Sequence, residues 1–214
     1  MKLHQKRQTV PKTWSIPRKG TTFVVKAKSG GIPLLILLRD VLGIARNRRE
    51  VKKAIHEKSI FISNKLAKDE RTGLELNDTL TIIPSKKNYR LILSPFGKYD
   101  LEEISEKESK MKISKISGKK ILKNKKKQIN LIDGKNYFCD LEFNVEDSAL
   151  IDLEKNIVSK ILPVKEKAKM VIIGGKHAGE KGMISKIIPE LKMVEMEEEG
   201  NKTRVLIKQL MVIQ

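Results

Sequence analysis

The sequence predicts an α+β fold assembled from several small modules. Helical periodicity is confined to residues 33–58. Short alternating or β-branched runs, separated by turn residues, fill most of the chain beyond residue 58. Hydrophobic residues make up 39% of the chain and charged residues 33%, against roughly 45–50% and about 25% in average globular domains. Thin modules supported by a partner fit this composition better than one thick core.

Residues 1–31 read as an extended basic arm. Lys2, Lys6, Arg7, Lys12, Arg18, Lys19, Lys26 and Lys28 stand there without a single acid, and Pro11, Pro17, Gly20, Gly30 and Gly31 break any helix. Such a segment repels itself and stays mobile until phosphates order it. Trp14, between Lys12 and Arg18, either stacks on a base or packs onto the next module.

Residues 32–84 read as a second module. Pro33 suits a first helical turn, Leu34, Leu37, Leu38, Val41 and Leu42 recur at helical spacing, and Gly43 ends the helix. Asn47 with Glu50 is a capping-box variant opening a second helix. That helix has Val51, Ala54, Ile55 and Lys58 along one side, and the like-charged pairs Arg48/Lys52 and Arg49/Lys53 on the other. Like charges four apart repel, and acidic counterparts are missing nearby, so the face makes sense against phosphates. Ile60–Ile62, Leu74–Leu76 and Thr79–Ile83 come next as short strands with turns at Ser63–Lys65 and Asn77-Asp78, until Pro84 stops the last.

Residues 85–165 read as mainly β. Tyr89–Leu93 is a strand, with a turn from Ser94 to Gly97; Glu102–Lys110 is a short helix. Met111–Ile116 alternates and Gly118 ends it. Gln128–Ile132 and Asn136–Phe143 flank the hairpin signal Asp133-Gly134. Ser148–Leu153 and Ile157–Leu162 flank a turn at 154–156. The basic run Lys119, Lys120, Lys123, Lys125, Lys126 and Lys127 falls between strands, as a loop that touches RNA or is simply solvated.

Residues 166–214 form the last module. Met170–Ile173 runs into the glycine-rich loop 174–182, strands resume at Met183–Ile188, Lys192–Glu197, Thr203–Ile207 and Leu210–Ile213, and Gly200-Asn201 is a turn. Short strands with a glycine-rich first loop predict a small barrel. The loop is no nucleotide cradle. A P-loop needs Lys then Ser or Thr directly after its second glycine, whereas Gly179 precedes Glu180. The segment after Gly182 is a strand, where the dinucleotide fingerprint opens a helix. The loop's glycines are read as permitting tight turns and close approach to a partner.

Charge narrows the function. Residues 1–60 carry 15 basic and 3 acidic side chains, residues 61–130 carry 17 and 9, and residues 131–214 carry 13 and 14, for a net charge of +19. The front half is a polycation, which a phosphate backbone satisfies best. His4, His56 and His177 have no metal-ligand spacing. No nucleophile motif or paired-carboxylate signature is visible, so no catalytic residue, metal or cofactor is expected. The lone Cys139 sits in an apolar alternation and reads as a small core side chain. The longest apolar run, Ile32–Leu38, is far short of the roughly 20 residues a membrane helix needs. No signal peptide is visible, and a cytosolic location is expected.

Several stretches then resemble one family. His4-x-Lys6-Arg7 followed by Pro11-Lys12-x-Trp14 resembles the opening of the archaeal and eukaryotic small-subunit ribosomal protein four, e-type. Ile32–Asp40 with Arg49–Ile55 is similar to that family's alpha-L RNA-binding motif. Tyr89–Ile92 and Asp147–Leu153 resemble its central β domain, and Gly174-Gly175-x-x-x-Gly179-x-x-Gly182 its KOW motif. The likeness is collinear over nearly the whole chain and matches the shorter archaeal form. One departure is Asn64-Lys65, where the alpha-L turn usually offers a glycine; Asn tolerates the left-handed conformation.

The resemblance implies a non-enzymatic structural constituent of the small ribosomal subunit, cytoplasmic and ribosome-bound, organised as arm (1–31), alpha-L domain (32–84), central β domain (85–165) and SH3-like KOW barrel (166–214). Its partners would be small-subunit rRNA and neighbouring ribosomal proteins, with no membrane and no homo-oligomer. The residues expected to touch rRNA are Lys6, Arg7, Lys12, Trp14, Arg18 and Lys19 in the arm, Arg39, Arg46, Arg48, Arg49, Lys52 and Lys53 in the helices, and Lys176, His177 and Lys181 in the glycine-rich loop. An RNA-modifying enzyme with a fused alpha-L domain, and a transcription or translation factor using KOW, are the rival readings.

Overall fold

A computed structural model describes residues 4–122, 127–198 and 201–213. Lys2, Lys123, Lys125, Lys126 and Gly200 lie outside the described residues. The chain divides into two compact units. One comprises the described residues up to Leu93 with Gly97–Lys110, the other Ser94–Phe96 and those from Met111 on.

In the first unit β1 (Gln5–Lys6) pairs with β2 (Phe23–Val24), and β3 (Ile32–Pro33) leads into α1 (Leu34–Ile36). A π-helical turn, Leu37–Val41, continues α1, with Leu42 N–H donating to Leu37 O at 2.9 Å. Every side chain from Leu34 to Leu38 is at most 3% exposed, so this segment, apolar all round, is a core element rather than a surface helix. Gly43, at φ +65°, ends it as expected. Then come α2 (Arg48–His56), β4 (Ile60–Ile62), β5 (Lys65–Leu66), β6 (Gly73–Leu74), β7 (Thr79–Ile82), β8 (Lys87–Leu93), β9 (Tyr99–Ile104) and α3 (Glu106–Ser109). The main sheet is antiparallel in the order β5-β4-β7-β8-β9, and β3 pairs with β6. A Cβ on Gly31, whose φ is +78°, would stand 1.8 Å from Leu74 O; the absent side chain is what lets this short ladder close.

The first unit corrects two expectations. The arm is not an extended segment awaiting RNA. Val10 and Trp14, each 5% exposed, join the core of Ile32, Leu34–Leu38, Val51, Ile60, Leu80 and Leu91, and Tyr99 N–H donates to Thr13 O at 2.7 Å. Burying an indole outweighs the repulsion among exposed lysines that solvent already screens. The helix expected over Glu102–Lys110 is only one turn, because Glu102 and Glu103 are β9 residues paired with Arg90 and Tyr89.

The second unit contains β10 (Met111–Ile121), β11 (Lys127–Leu131), β12 (Asn136–Phe138), β13 (Ser148–Asp152) and β14 (Ile157–Leu162), in the antiparallel order β12-β11-β10-β13-β14. Gly118 does not end its strand; β10 passes through it with a register shift between Ile116 and Gly118. The second arm of the Asp133-Gly134 hairpin stops at Phe138, not Phe143, and the chain then turns so that Cys139 and Phe143 join the core of Ile116, Ile129, Ala149 and Ile151. Cys139 is thus the small core side chain its context suggested.

A second sheet completes this unit: β15 (Lys169–Ile172), β16 (Lys181–Ile188), β17 (Met193–Glu198), β18 (Asn201–Leu206) and β19 (Leu210–Val212), in the order β18-β17-β16-β15-β19. Where the sequence predicts a small barrel, these strands cover a core of Met170, Ile172, Ile184, Val194, Met196 and Leu210. Two lysines of β10 point inward. Lys112, 1% exposed, has its Nζ 2.6 Å from Asp133 Oδ2. Lys115, 2% exposed, donates to Leu210 O at 2.8 Å and to Ile207 O, and pairs with Glu146 at 2.7 Å.

Candidate nucleic-acid interface

The charged helix α2 is built as its sequence suggests. Asn47 Oδ1 accepts the Glu50 N–H at 3.0 Å, while the Glu50 carboxylate accepts from Arg46 N–H at 2.7 Å and from Asn47 Nδ2 at 2.9 Å. Orphan donors at the helix start are thereby satisfied. Val51 is buried and Ala54 and Ile55 are half-buried, which seats the helix on the core and turns Arg46, Arg48, Arg49, Lys52 and Lys53 outward, all exposed. Five cations on one short stretch make a surface of strongly positive potential.

That face is not free of acids. Glu70, 5% exposed, accepts from Arg48 Nε at 2.9 Å and lies 4.0 Å from Lys52 Nζ. Lys53 pairs with Glu57 at 3.8 Å. Glu70 is 22 residues from Arg48, so no helical spacing signals it. Arg39 is half-buried beside Asp40, whose carboxylate accepts from its Nε at 3.0 Å. This hydrogen bond raises the guanidinium pKa above its ordinary value, against the opposing effect of burial.

The arm's residues divide by role. Lys6, Lys12, Arg18 and Lys19 are exposed. Arg7 is half-buried and donates to Thr21 O at 2.8 Å, Pro17 O at 3.0 Å and Thr21 Oγ1 at 2.8 Å, so its guanidinium is engaged in holding the arm's own loop. Arg18 donates to Gln8 O at 3.1 Å and Val10 O at 3.3 Å. Of the two alternatives for Trp14, the structure takes packing: an indole buried in the core offers no open face to a base.

The turn after β4 holds without a glycine. Ser63 and Asn64 have φ of 46° and 60°, the region Asn tolerates. Ser63 Oγ donates to Asp78 Oδ1 at 2.6 Å, and Asp78 Oδ2 accepts Glu75 N–H at 2.7 Å, tying this turn to the Asn77-Asp78 turn.

In the second unit the glycine-rich loop presents Lys176 and Lys181, both exposed. His177 Nδ1 is 2.9 Å from Glu180 Oε1. A Cβ on Gly179, at φ +99°, would lie 1.9 Å from Ser94 O. The close approach that the glycines were expected to allow with a partner is here made with this chain's own backbone. The structure therefore groups Arg46, Arg48, Arg49, Lys52 and Lys53 on one helix and its cap, and Lys176, His177 and Lys181 on one loop. Sequence reasoning missed Glu70 and also Lys165, which shares a cleft with Lys119 and Lys127; their convergence has no local signal.

Comparison with known proteins identifies the family and the shared fold. The model of the ribosomal family S4e matches residues 85–158, and that of the RS4NT (NUC023) domain matches residues 1–31. The small ribosomal subunit protein eS4 of Archaeoglobus fulgidus is 36% identical over 209 residues, covering 92% of this chain and 88% of that protein. Its counterpart in Nanoarchaeum equitans is 29% identical and covers 94% and 90%. The crystal structure of the 30S ribosomal protein S4e from Thermoplasma acidophilum superposes with a TM-score of 0.73, covering 85% of this chain and 94% of the other at 21% identity, which establishes the shared fold. A resemblance first carried by scattered motifs thus extends over nearly the full sequence, and the chain belongs to the small ribosomal subunit protein eS4 family.

Proposed function

We propose that this protein is a structural constituent of the small ribosomal subunit that binds small-subunit rRNA by neutralising and positioning phosphates. The family is one of ribosomal structural proteins, not of enzymes. On this reading residues 1–31 are an N-terminal segment seated on an alpha-L domain (32–84), followed by a central β domain (85–165) and a KOW domain (166–214). Arg39, Arg46, Arg48, Arg49, Lys52 and Lys53 bring the alpha-L helices to phosphates. Lys6, Arg7, Lys12, Arg18 and Lys19 line the N-terminal contact, and Lys176, His177 and Lys181 contact rRNA or a neighbouring ribosomal protein. The protein acts in the cytoplasm as one copy per subunit. The supporting observation is the outward face of α2, whose cations outnumber the carboxylates that reach them. Phosphate contacts carry no base code directly, so RNA shape would supply the readout.

Quantitative sedimentation tests it. One copy should travel with each small subunit and stay bound at moderate salt; release there, or substoichiometric recovery, contradicts a constituent. For the α2 face, Arg49→Ala with Lys53→Ala is cleaner than any variant of Arg48, whose loss strands the buried Glu70. The double variant should lower rRNA affinity and flatten its salt dependence by about 0.9 in slope for each duplex phosphate no longer neutralised. An unchanged slope removes α2 from the interface.

A further inference from the structure

The second unit has a cleft of about 390 Å³ whose walls carry Lys119 of β10, Lys127 of β11 and Lys165 beyond β14, over an apolar floor of Phe143, Ile161 and Pro163. Lys119 Nζ lies 4.9 Å from the centre of the Phe143 ring and donates to Phe143 O at 3.5 Å, so one cation is already held across the floor. Two carboxylates also line the space. Asp147 is 6% exposed, and its oxygens accept Val164 N–H at 3.0 Å and Asn144 N–H at 2.9 Å; it shapes the wall. Glu142 is exposed at the rim. Three lysines against these two leave the cleft positive. Among the described residues of this unit, ion pairs engage Lys112, Lys115, Lys135, His177 and Arg204, not the cleft's lysines.

We propose that this cleft holds one unpaired nucleotide of rRNA, its phosphate on Lys119, Lys127 and Lys165 and its sugar and base against Ile161 and Pro163. The proposal rests on the reading of the chain as an rRNA-binding protein. A concavity of this size admits a flipped-out nucleotide but no RNA helix, and unpaired bases are what proteins reach in folded RNA. Lysine is a point-charge partner for phosphate.

The test uses the full chain, with a labelled oligouridylate and a labelled RNA duplex as probes, in fluorescence anisotropy over a range of salt. Lys127→Glu with Lys165→Glu should weaken oligouridylate binding by about tenfold or more and flatten its salt slope by up to about 0.7, for the one single-strand phosphate no longer neutralised, with duplex binding nearly unchanged. Arg49→Ala with Lys53→Ala should do the reverse. If the cleft variant binds oligouridylate as the parent does, the cleft proposal fails while the wider reading stands. If the parent binds neither probe nor rRNA, the wider reading fails. A second measurement does not depend on any variant folding: 4-thiouridine in the oligonucleotide should crosslink the parent chain within residues 142–144 or 161–165. Crosslinks only elsewhere, or equal competition by polyglutamate, overturn the proposal.

Discussion

Arg48 and Glu70 meet across 22 residues of sequence, Nε to Oε1 at 2.9 Å, and so fasten the charged face of α2 to the segment ahead of β6. The carboxylate is buried and the guanidinium half out in solvent, at 7% and 56% side-chain exposure. Glu70 therefore needs Arg48 more than Arg48 needs Glu70, because an unpaired buried charge is the costlier loss.

Glu70→Gln keeps the shape and removes that charge. It should lower stability by about 1–3 kcal/mol in urea unfolding. It should also leave Arg48 and Lys52 free to meet phosphates, steepening the salt dependence of rRNA binding. A variant that binds rRNA more weakly, with an unchanged slope, contradicts this account of the pair.

Burial pushes the Lys115 ammonium below its ordinary value of 10.5, with Glu146 pulling the other way. A lysine whose folded pKa is depressed charges more easily in the unfolded chain. Its cost to the fold is therefore full below the folded value and is relieved as pH rises from there toward 10.5. Lys115→Met should lose that alkaline gain. At neutral pH it should be less stable than the parent by about 1.5–3 kcal/mol, since Leu210 O, Ile207 O and Glu146 lose a charged donor. Urea unfolding of both proteins across that pH range measures each effect.

Gly179→Ala should destabilise the second unit by about 1–3 kcal/mol, because the added methyl would lie 1.9 Å from Ser94 O at a φ of +99°. Gly134→Ala is the control: its φ is +76°, yet nothing stands within 4 Å of the added Cβ. The difference between their denaturation midpoints isolates the steric part.

Trp14 is the sole tryptophan, so its fluorescence reports on one site. A buried indole should emit at short wavelength in the native protein and shift red on unfolding. Saturating rRNA should leave that emission nearly unquenched, whereas base stacking would quench it. Trp14→Ala should cost about 3–5 kcal/mol of stability.

The features legible in the sequence are those that act over a few residues. Asn47 and Glu50 foretell a cap because the bonds they make are to neighbours along the chain. Asn64, Asn77 and Gly43 foretell turns because positive φ is a property of single residues. The spacing of Leu34, Leu37 and Leu38 foretells a helix, although not the π-helical turn that packing imposes on it. Boundaries fail where a strand competes with helix-like composition, as at Glu102 and Glu103, whose partners on β8 set their conformation.

By itself, then, the amino-acid order determined the segregation of charge, the amphipathic α2 and the succession of short strands, since periodicity and backbone preference are local. Only tertiary structure decided that Trp14 is core, that Glu70 tempers α2, that Lys112 and Lys115 turn inward, and that Lys119, Lys127 and Lys165 share one cleft. Those outcomes join residues remote in sequence, and their energies depend on which charges burial strips of water and which partners it then places within reach.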